Sequence, residues 1–267
     1  MEAADNLENK KVFVTGASRG IGRAIALEAA KLGADVAVHY SSSKQKAEEV
    51  VRTIEKTGRK AVCIGGNWND PHDVEEAGEK AWEAFGHIDI LVNNVGINIK
   101  KHVLDFSIEE FDKLFQVNVR GAYLISRLVA KKMVQRGIEG QLFTITSVNA
   151  LNPGTGLSLY GGTKAALDLI MKGFALELAP HNIRVNTLQV GPVETDMNEP
   201  VLNNPELLNH VLNGIPLHRM ASPEEIAGLV CALISQRGSY MTGSSVLVDG
   251  GLLLLKGYSP PKPYGAD

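Results

Sequence analysis

Three observations predict an α/β fold with a doubly wound parallel sheet of about seven strands and helices on both faces. Short β-prone runs alternate with helical stretches along almost the whole chain. A glycine-rich turn joins the first strand to the first helix. The polar motifs fall just after strands, where sheets of this kind bind ligands.

Strands are expected over residues 12–15, 35–40, 60–65, 88–93, 141–146, 184–190 and 245–248, and helices over 21–32, 44–57, 71–85, 107–136, 159–179 and 223–235. The first unit is the clearest. Lys11-Val-Phe-Val-Thr15 is apolar and β-prone, Arg23 to Leu32 is helix-forming, and Gly33 stands where helices prefer to end. A chain of 267 residues with this alternation reads as one domain, 1–267, with residues 252–267 as a C-terminal extension. The leucines at 252–255 call for burial, and a second subunit would provide it. The prolines that follow suggest an extended end.

Composition narrows the function classes. Apolar residues make up 44% and charged residues 21%, as in ordinary globular proteins. A net charge of −3 gives no sign of a nucleic-acid or anionic-membrane partner. The two cysteines, Cys63 in an apolar strand and Cys231 in an apolar helix, read as buried, inert thiols. Residues 1–5 do not resemble a secretory signal, and no apolar run approaches the ~20 residues of a membrane span. The expected location is the cytoplasm.

Tyr160 and Lys164 lie four positions apart, one helical turn on the same face, with Ser147 upstream. A phenol has an ordinary pKa of about 10, and a nearby ammonium favours its ionised form. Such a pair can handle protons near neutral pH, while Ser147 hydrogen-bonds the substrate oxygen. On its own, Tyr-x-x-x-Lys is more often just a surface tyrosine beside a surface lysine on a helix.

The glycine turn decides between these readings. Gly16-Ala-Ser-Arg-Gly20-Ile-Gly22 sits between a strand and a helix, the context that a dinucleotide-binding turn requires. Gly16 permits the tight turn, Gly20 lets the backbone approach a pyrophosphate, and Gly22 lets helix and strand pack closely. The helix N-terminus offers N–H groups to the phosphates, with Ser18, Arg19 and Ile21 alongside.

With this Gly-x-x-x-Gly-x-Gly spacing, Asn93-Asn94-Val95-Gly96, Asn118, Ser147, Tyr160 and Lys164, the chain resembles the short-chain dehydrogenase/reductase family from about residue 10 to 251. The resemblance implies a single Rossmann-type domain that transfers a hydride between a nicotinamide cofactor and a carbonyl or alcohol. It implies that Tyr160 is the acid/base, that Ser147 positions the substrate oxygen, and that Lys164 lowers the tyrosine pKa and contacts the nicotinamide ribose. Asn118 would hold a water that links Lys164 to solvent. Asn94 and Gly96 would pack against the cofactor, and Gly191, Val193 and Thr195 would line the nicotinamide end. A homo-oligomer, dimer or tetramer, is implied as well.

The cofactor is expected to be NADP(H), with NAD(H) as the alternative. The second strand ends in His39-Tyr40-Ser41-Ser42-Ser43-Lys44, without the acid that would repel a 2′-phosphate. These hydroxyls, together with Lys44 and Arg19, suit a phosphate, although serines here also suit a helix cap. Asn67 and Trp68 stand where the family usually has Asp-Val. Asn67 would bond the adenine amine, and Trp68 is either a neighbour of the adenine ring or a core anchor.

For the small-molecule substrate, the candidates are Asn98, His102, Asn149 and Glu194, with Lys101, Asn152 and Leu157 nearby. Their polarity and the overall pattern point to a sugar, polyol or sugar acid. The alternatives are a 3-oxoacyl-thioester reductase, docked through Arg120, Arg127, Lys131, Lys132 and Arg136, and a non-catalytic nucleotide sensor. Residues 198–215 read as a substrate lid. No metal is expected, because the histidines form no close-spaced ligand cluster.

Overall fold

The computed structural model describes residues 6–255. Seven strands form one fully parallel sheet: β1 (Lys11–Val14), β2 (Asp35–Tyr40), β3 (Ala61–Gly65), β4 (Ile90–Asn93), β5 (Gln141–Ser147), β6 (Arg184–Val190) and β7 (Ser245–Val248). Their spatial order is 3-2-1-4-5-6-7. The order reverses between β1 and β4, and this switch point opens a crevice at the strands' carboxyl ends. The predicted strands are all present, three of them with unchanged bounds.

The helices are α1 (Gly20–Lys31), α2 (Lys44–Glu55), α3 (Pro71–Phe85), α4 (Ile108–Phe115), α5 (Ala122–Arg136), α6 (Ser158–Leu178), α7 (Glu199–Leu202), α8 (Pro205–Asn213) and α9 (Pro223–Ile234). Alternation along the strands splits the core into two layers. Val12 and Val14 of β1 face α1, α2 and α9, whereas Phe13 faces α3, α5 and α6.

Three features differ from the expectation. The single long helix over 107–136 is two helices joined by a π-wound segment, Gln116–Gly121. Gly121 lies there because Trp68 packs onto its backbone, and a Cβ would come within 2.5 Å of Trp68 Cδ1. The region read as a lid carries two helices, α7 and α8, that were not among the expected ones; both start on Pro-containing first turns, and Asn204 caps α8. Cys63 is half-buried rather than buried, because β3 is the edge strand, while Cys231 is buried as expected.

No helix among the described residues is long and apolar enough to cross a membrane. Of the extension, Leu252–Leu255 forms a short 3-10 turn, and Leu254 is exposed rather than covered. The prolines beyond lie outside the described residues.

Candidate functional site

The crevice begins at the glycine turn. Gly16 and Gly20 adopt left-handed backbone conformations, with φ of +65° and +53°. At Gly22 a side chain is excluded, since a Cβ would sit 2.4 Å from both Asn94 Nδ2 and Gly16 O. Asn94 Nδ2 donates to the carbonyls of Thr15 (3.0 Å) and Gly16 (3.1 Å), which fastens the turn to the end of β4. No side chain caps α1, and Arg19 at its N-cap is exposed. A bare helix N-terminus behind close-packed glycines fits the phosphates of a dinucleotide.

Around this turn, Ser18 is buried, Ile21 is half-buried and packs against the α1-side core, and Thr195 lies against the loop, 3.3 Å from where a Cβ on Gly20 would be. Gly191 is held at Asp249, where a Cβ would sit 2.8 Å from its Cα, and Val193 bridges to Ala221. These contacts bring the exit of β6 to the glycine turn.

At the adenosine end, Ser41 and Ser42 are exposed and Tyr40 is half-buried. Ser43 occupies the N-cap of α2 but makes no side-chain cap bond, so the capping alternative is not realised and its hydroxyl stays available. Arg19 reaches Asp196 at 3.5 Å, and Lys46 faces the same carboxylate at 3.8 Å. Asn67 is exposed and accepts from the Asn69 N–H. Trp68 is corrected to a core anchor. It is 2% exposed, wedged against Gly121 and 4.0 Å from the His39 ring, so its indole cannot cover an adenine.

Ser147 at the end of β5 and Tyr160 and Lys164 on α6 converge, all buried. Burial pushes the Tyr160 phenol above its ordinary pKa, and a hydrogen bond with Ser147 works against that shift. Burial alone lowers Lys164 to about 8. Lys164 Nζ donates to the Ile145 carbonyl at 3.1 Å and lies 5.9 Å from the Tyr160 ring centroid. The ammonium is itself desolvated and aimed at a backbone oxygen, and burial of the phenol dominates.

Asn118 is fully buried in the π segment and fully engaged. Its Nδ2 donates to Ile97 O (2.9 Å) and Thr163 Oγ1 (3.0 Å), and its Oδ1 accepts from Ile97 N (2.8 Å). Thr163 in turn donates to the Tyr160 carbonyl. Gly96 leaves room for both side chains, since a Cβ there would be 3.1 Å from Lys164 Nζ and 3.6 Å from Asn118 Oδ1. A π-wound turn at such a place is common where a helix must aim a side chain at a site.

The substrate candidates divide. Asn149 lies beside Ser147, its Nδ2 3.3 Å from Ser147 Oγ. Asn98 and Glu194 are exposed, and His102 caps its own short turn by accepting from Leu104 N. Lys101 is tied to Glu110 at 2.6 Å. One expectation about metals also changes: His72, Asp73 and Glu76 bring ligand atoms within 4.8 Å of one another on the first turns of α3. Asp73 already accepts the Asn67 N–H there. Sequence reasoning missed His39, whose fully buried imidazole contacts the glycine turn. A histidine directly after the apolar run Val36-Ala37-Val38, near the end of β2, was the available signal.

Comparison with known proteins matches these features to a family. The profile of a family described as enoyl-(acyl carrier protein) reductase matches residues 16–253. The chain is 38% identical to an L-rhamnose 1-dehydrogenase (NAD(P)(+)) of Sphingomonas sp., over 92% of this chain and 97% of the relative. It is 36% identical to an L-rhamnose 1-dehydrogenase (NADP(+)) of Thermoplasma acidophilum, over 93% and 98% respectively. A crystal structure of a short-chain dehydrogenase from Burkholderia cenocepacia in complex with NADP superposes with a TM-score of 0.87 at 34% identity, covering 93% of this chain and 99% of that one. The chain belongs to the short-chain dehydrogenase/reductase family.

Proposed function

We propose that this chain is a cytoplasmic, NADP(H)-preferring oxidoreductase that oxidises a hydroxyl of a sugar of the L-rhamnose kind, with NAD(H) as a second cofactor. The observation that carries the reading is the buried Ser147–Tyr160–Lys164 cluster opening beside a dinucleotide-shaped glycine turn. The identity to L-rhamnose 1-dehydrogenases along nearly the whole chain supports the sugar.

When bound, the nicotinamide supplies the hydride acceptor. The residues do the rest. Ser147 hydrogen-bonds the sugar hydroxyl and aligns it with Tyr160. Tyr160 takes the hydroxyl proton as the carbonyl forms and returns it in the reverse reaction. Lys164 adds positive charge beneath the phenol, and Asn118 braces the helix junction through Ile97 and Thr163. Arg19 and the hydroxyls of Ser41, Ser42 and Ser43 favour a 2′-phosphate.

Exposed Leu169 and Leu176 on α6 support a homo-oligomer, dimer or tetramer, formed through that face. The acyl-carrier reading has less support, because Arg127 and Lys132 are already paired with Glu75 and Glu79 of α3. The test is nicotinamide absorbance with a panel of aldoses, polyols, sugar acids and an acetoacetyl thioester, each with both cofactors. Turnover of an aldose with NADP⁺ is expected. Turnover of the thioester alone would overturn the sugar assignment, and binding without any turnover would favour the nucleotide sensor.

A further inference from the structure

His39 is fully buried near the end of β2, with an imidazole that no part of the proposed reaction uses. Its Nδ1 accepts the N–H of Gly16 at 3.0 Å, and its Nε2 lies 3.0 Å from the carbonyl of Gly66. Both partners are backbone groups of fixed polarity. An N–H can only donate and a carbonyl can only accept, so Nδ1 must be bare and Nε2 must carry the proton. Trp68 covers the ring at 4.0 Å, and the His39 carbonyl accepts the Ala17 N–H at 2.8 Å.

The two bonded glycines matter because of where they lie. Gly16 starts the turn beneath the phosphates, in a left-handed conformation. Gly66 follows β3 and precedes Asn67, at the adenine end of the crevice. One side chain thus spans the two loops that flank the adenosine half of the site.

We propose that His39 is a positioning residue of the cofactor crevice: as the Nε2–H tautomer, it clamps the glycine turn to the exit of β3 and so sets dinucleotide affinity without touching the dinucleotide. The inference rests on the dinucleotide reading above. Burial supports it, since it lowers the imidazole to about 4 and keeps the ring neutral at working pH.

The experiment exploits two partial mimics. In His39→Asn, Oδ1 replaces Nδ1 and keeps the acceptor for Gly16, losing only the Gly66 bond. In His39→Gln, the amide falls near the Nε2 position, so the Gly66 bond can persist while Gly16 loses its acceptor. His39→Leu loses both. NADPH affinity is read by fluorescence titration and kcat at saturating cofactor. The Gln and Leu variants should bind NADPH about tenfold more weakly, the scale of about 1.4 kcal/mol. The Asn variant should stay within about threefold of wild type, and kcat should change little in all three.

Wild-type affinity in a folded Gln or Leu variant would overturn the clamp alone, as would a fall in kcat at unchanged affinity. Absence of NADPH binding by wild type would instead overturn the cofactor reading and the clamp with it. Should neither variant fold, imidazole nitrogen shifts in the wild type decide. A bare Nδ1 and a protonated Nε2, both retained with saturating NADPH, are expected; a proton on Nδ1 would overturn the proposal.

Discussion

Asn149 donates to Ser147 Oγ twice, from its backbone N–H at 3.2 Å and from its side-chain Nδ2 at 3.3 Å. Its Oδ1 is held by the Gly154 N–H at 3.0 Å, so the amide cannot turn away. Both donors occupy acceptor positions on the serine oxygen and leave its own proton free to point toward Tyr160 or a substrate. Asn149→Ala should lower kcat about tenfold, on the scale of one lost hydrogen bond to a reacting group, with a smaller change in KM. Steady-state kinetics check this. A raised KM at unchanged kcat would mean instead that Asn149 binds the sugar directly.

Arg19 is held across the crevice mouth by Asp196, at 3.5 Å and largely exposed. Such a pair contributes little by itself, so a 2′-phosphate can take the guanidinium over. Arg19→Ala should raise KM for NADP⁺ about tenfold or more, the scale of a charge-assisted hydrogen bond. KM for NAD⁺ should stay nearly the same. Equal rises for both cofactors would count against this role.

Gly22 has no room for a methyl group, with Asn94 Nδ2 and Gly16 O each 2.4 Å from the Cβ position. Gly22→Ala should cost about 1–3 kcal/mol of stability, as overpacking does, and should weaken NADPH binding by displacing the turn. Denaturant unfolding and NADPH titration measure the two effects. A methyl tolerated without either change would show that α1 can shift outward.

His39 makes stability depend on pH. Its pKa falls from 6.5 to about 4 on folding, because burial disfavours the charged ring. Between those values the unfolded chain binds a proton that the folded protein refuses. Stability is therefore complete above pH 6.5 and is lost as the pH falls toward 4, by about 3 kcal/mol from this residue. Urea unfolding at pH 7 and pH 4.5 should show the loss in wild type and a smaller one in His39→Asn. Parallel losses in both proteins would assign the acid sensitivity to other groups.

The sheet was legible because its signals are local. Each β-prone run is bounded by helix-forming sequence, and the bounds of β2, β6 and β7 agree to the residue. The glycine turn was legible because positive φ leaves so few alternatives to Gly16 and Gly20. What escaped was tertiary. The π-wound turn at Asn118 ends at Gly121, where Trp68 packs onto the backbone, a contact between residues far apart in the chain. Asn149 read as a polar pocket residue because spacing cannot say that its amide turns back onto Ser147. The aim of the Lys164 ammonium escaped for a similar reason. Four-residue spacing puts Lys164 on the same face as Tyr160 but does not show that its ammonium is bound to Ile145 O.

The most direct test of the central claim is the rate of NADPH formation from L-rhamnose and NADP⁺ by wild type and by Tyr160→Phe, with NADPH affinity measured on both. The account predicts turnover by wild type, a loss of about 10²–10⁴-fold in kcat for the variant, the range of general acid–base catalysis, and unchanged NADPH binding. A phenylalanine variant that oxidises the sugar at the wild-type rate would contradict it.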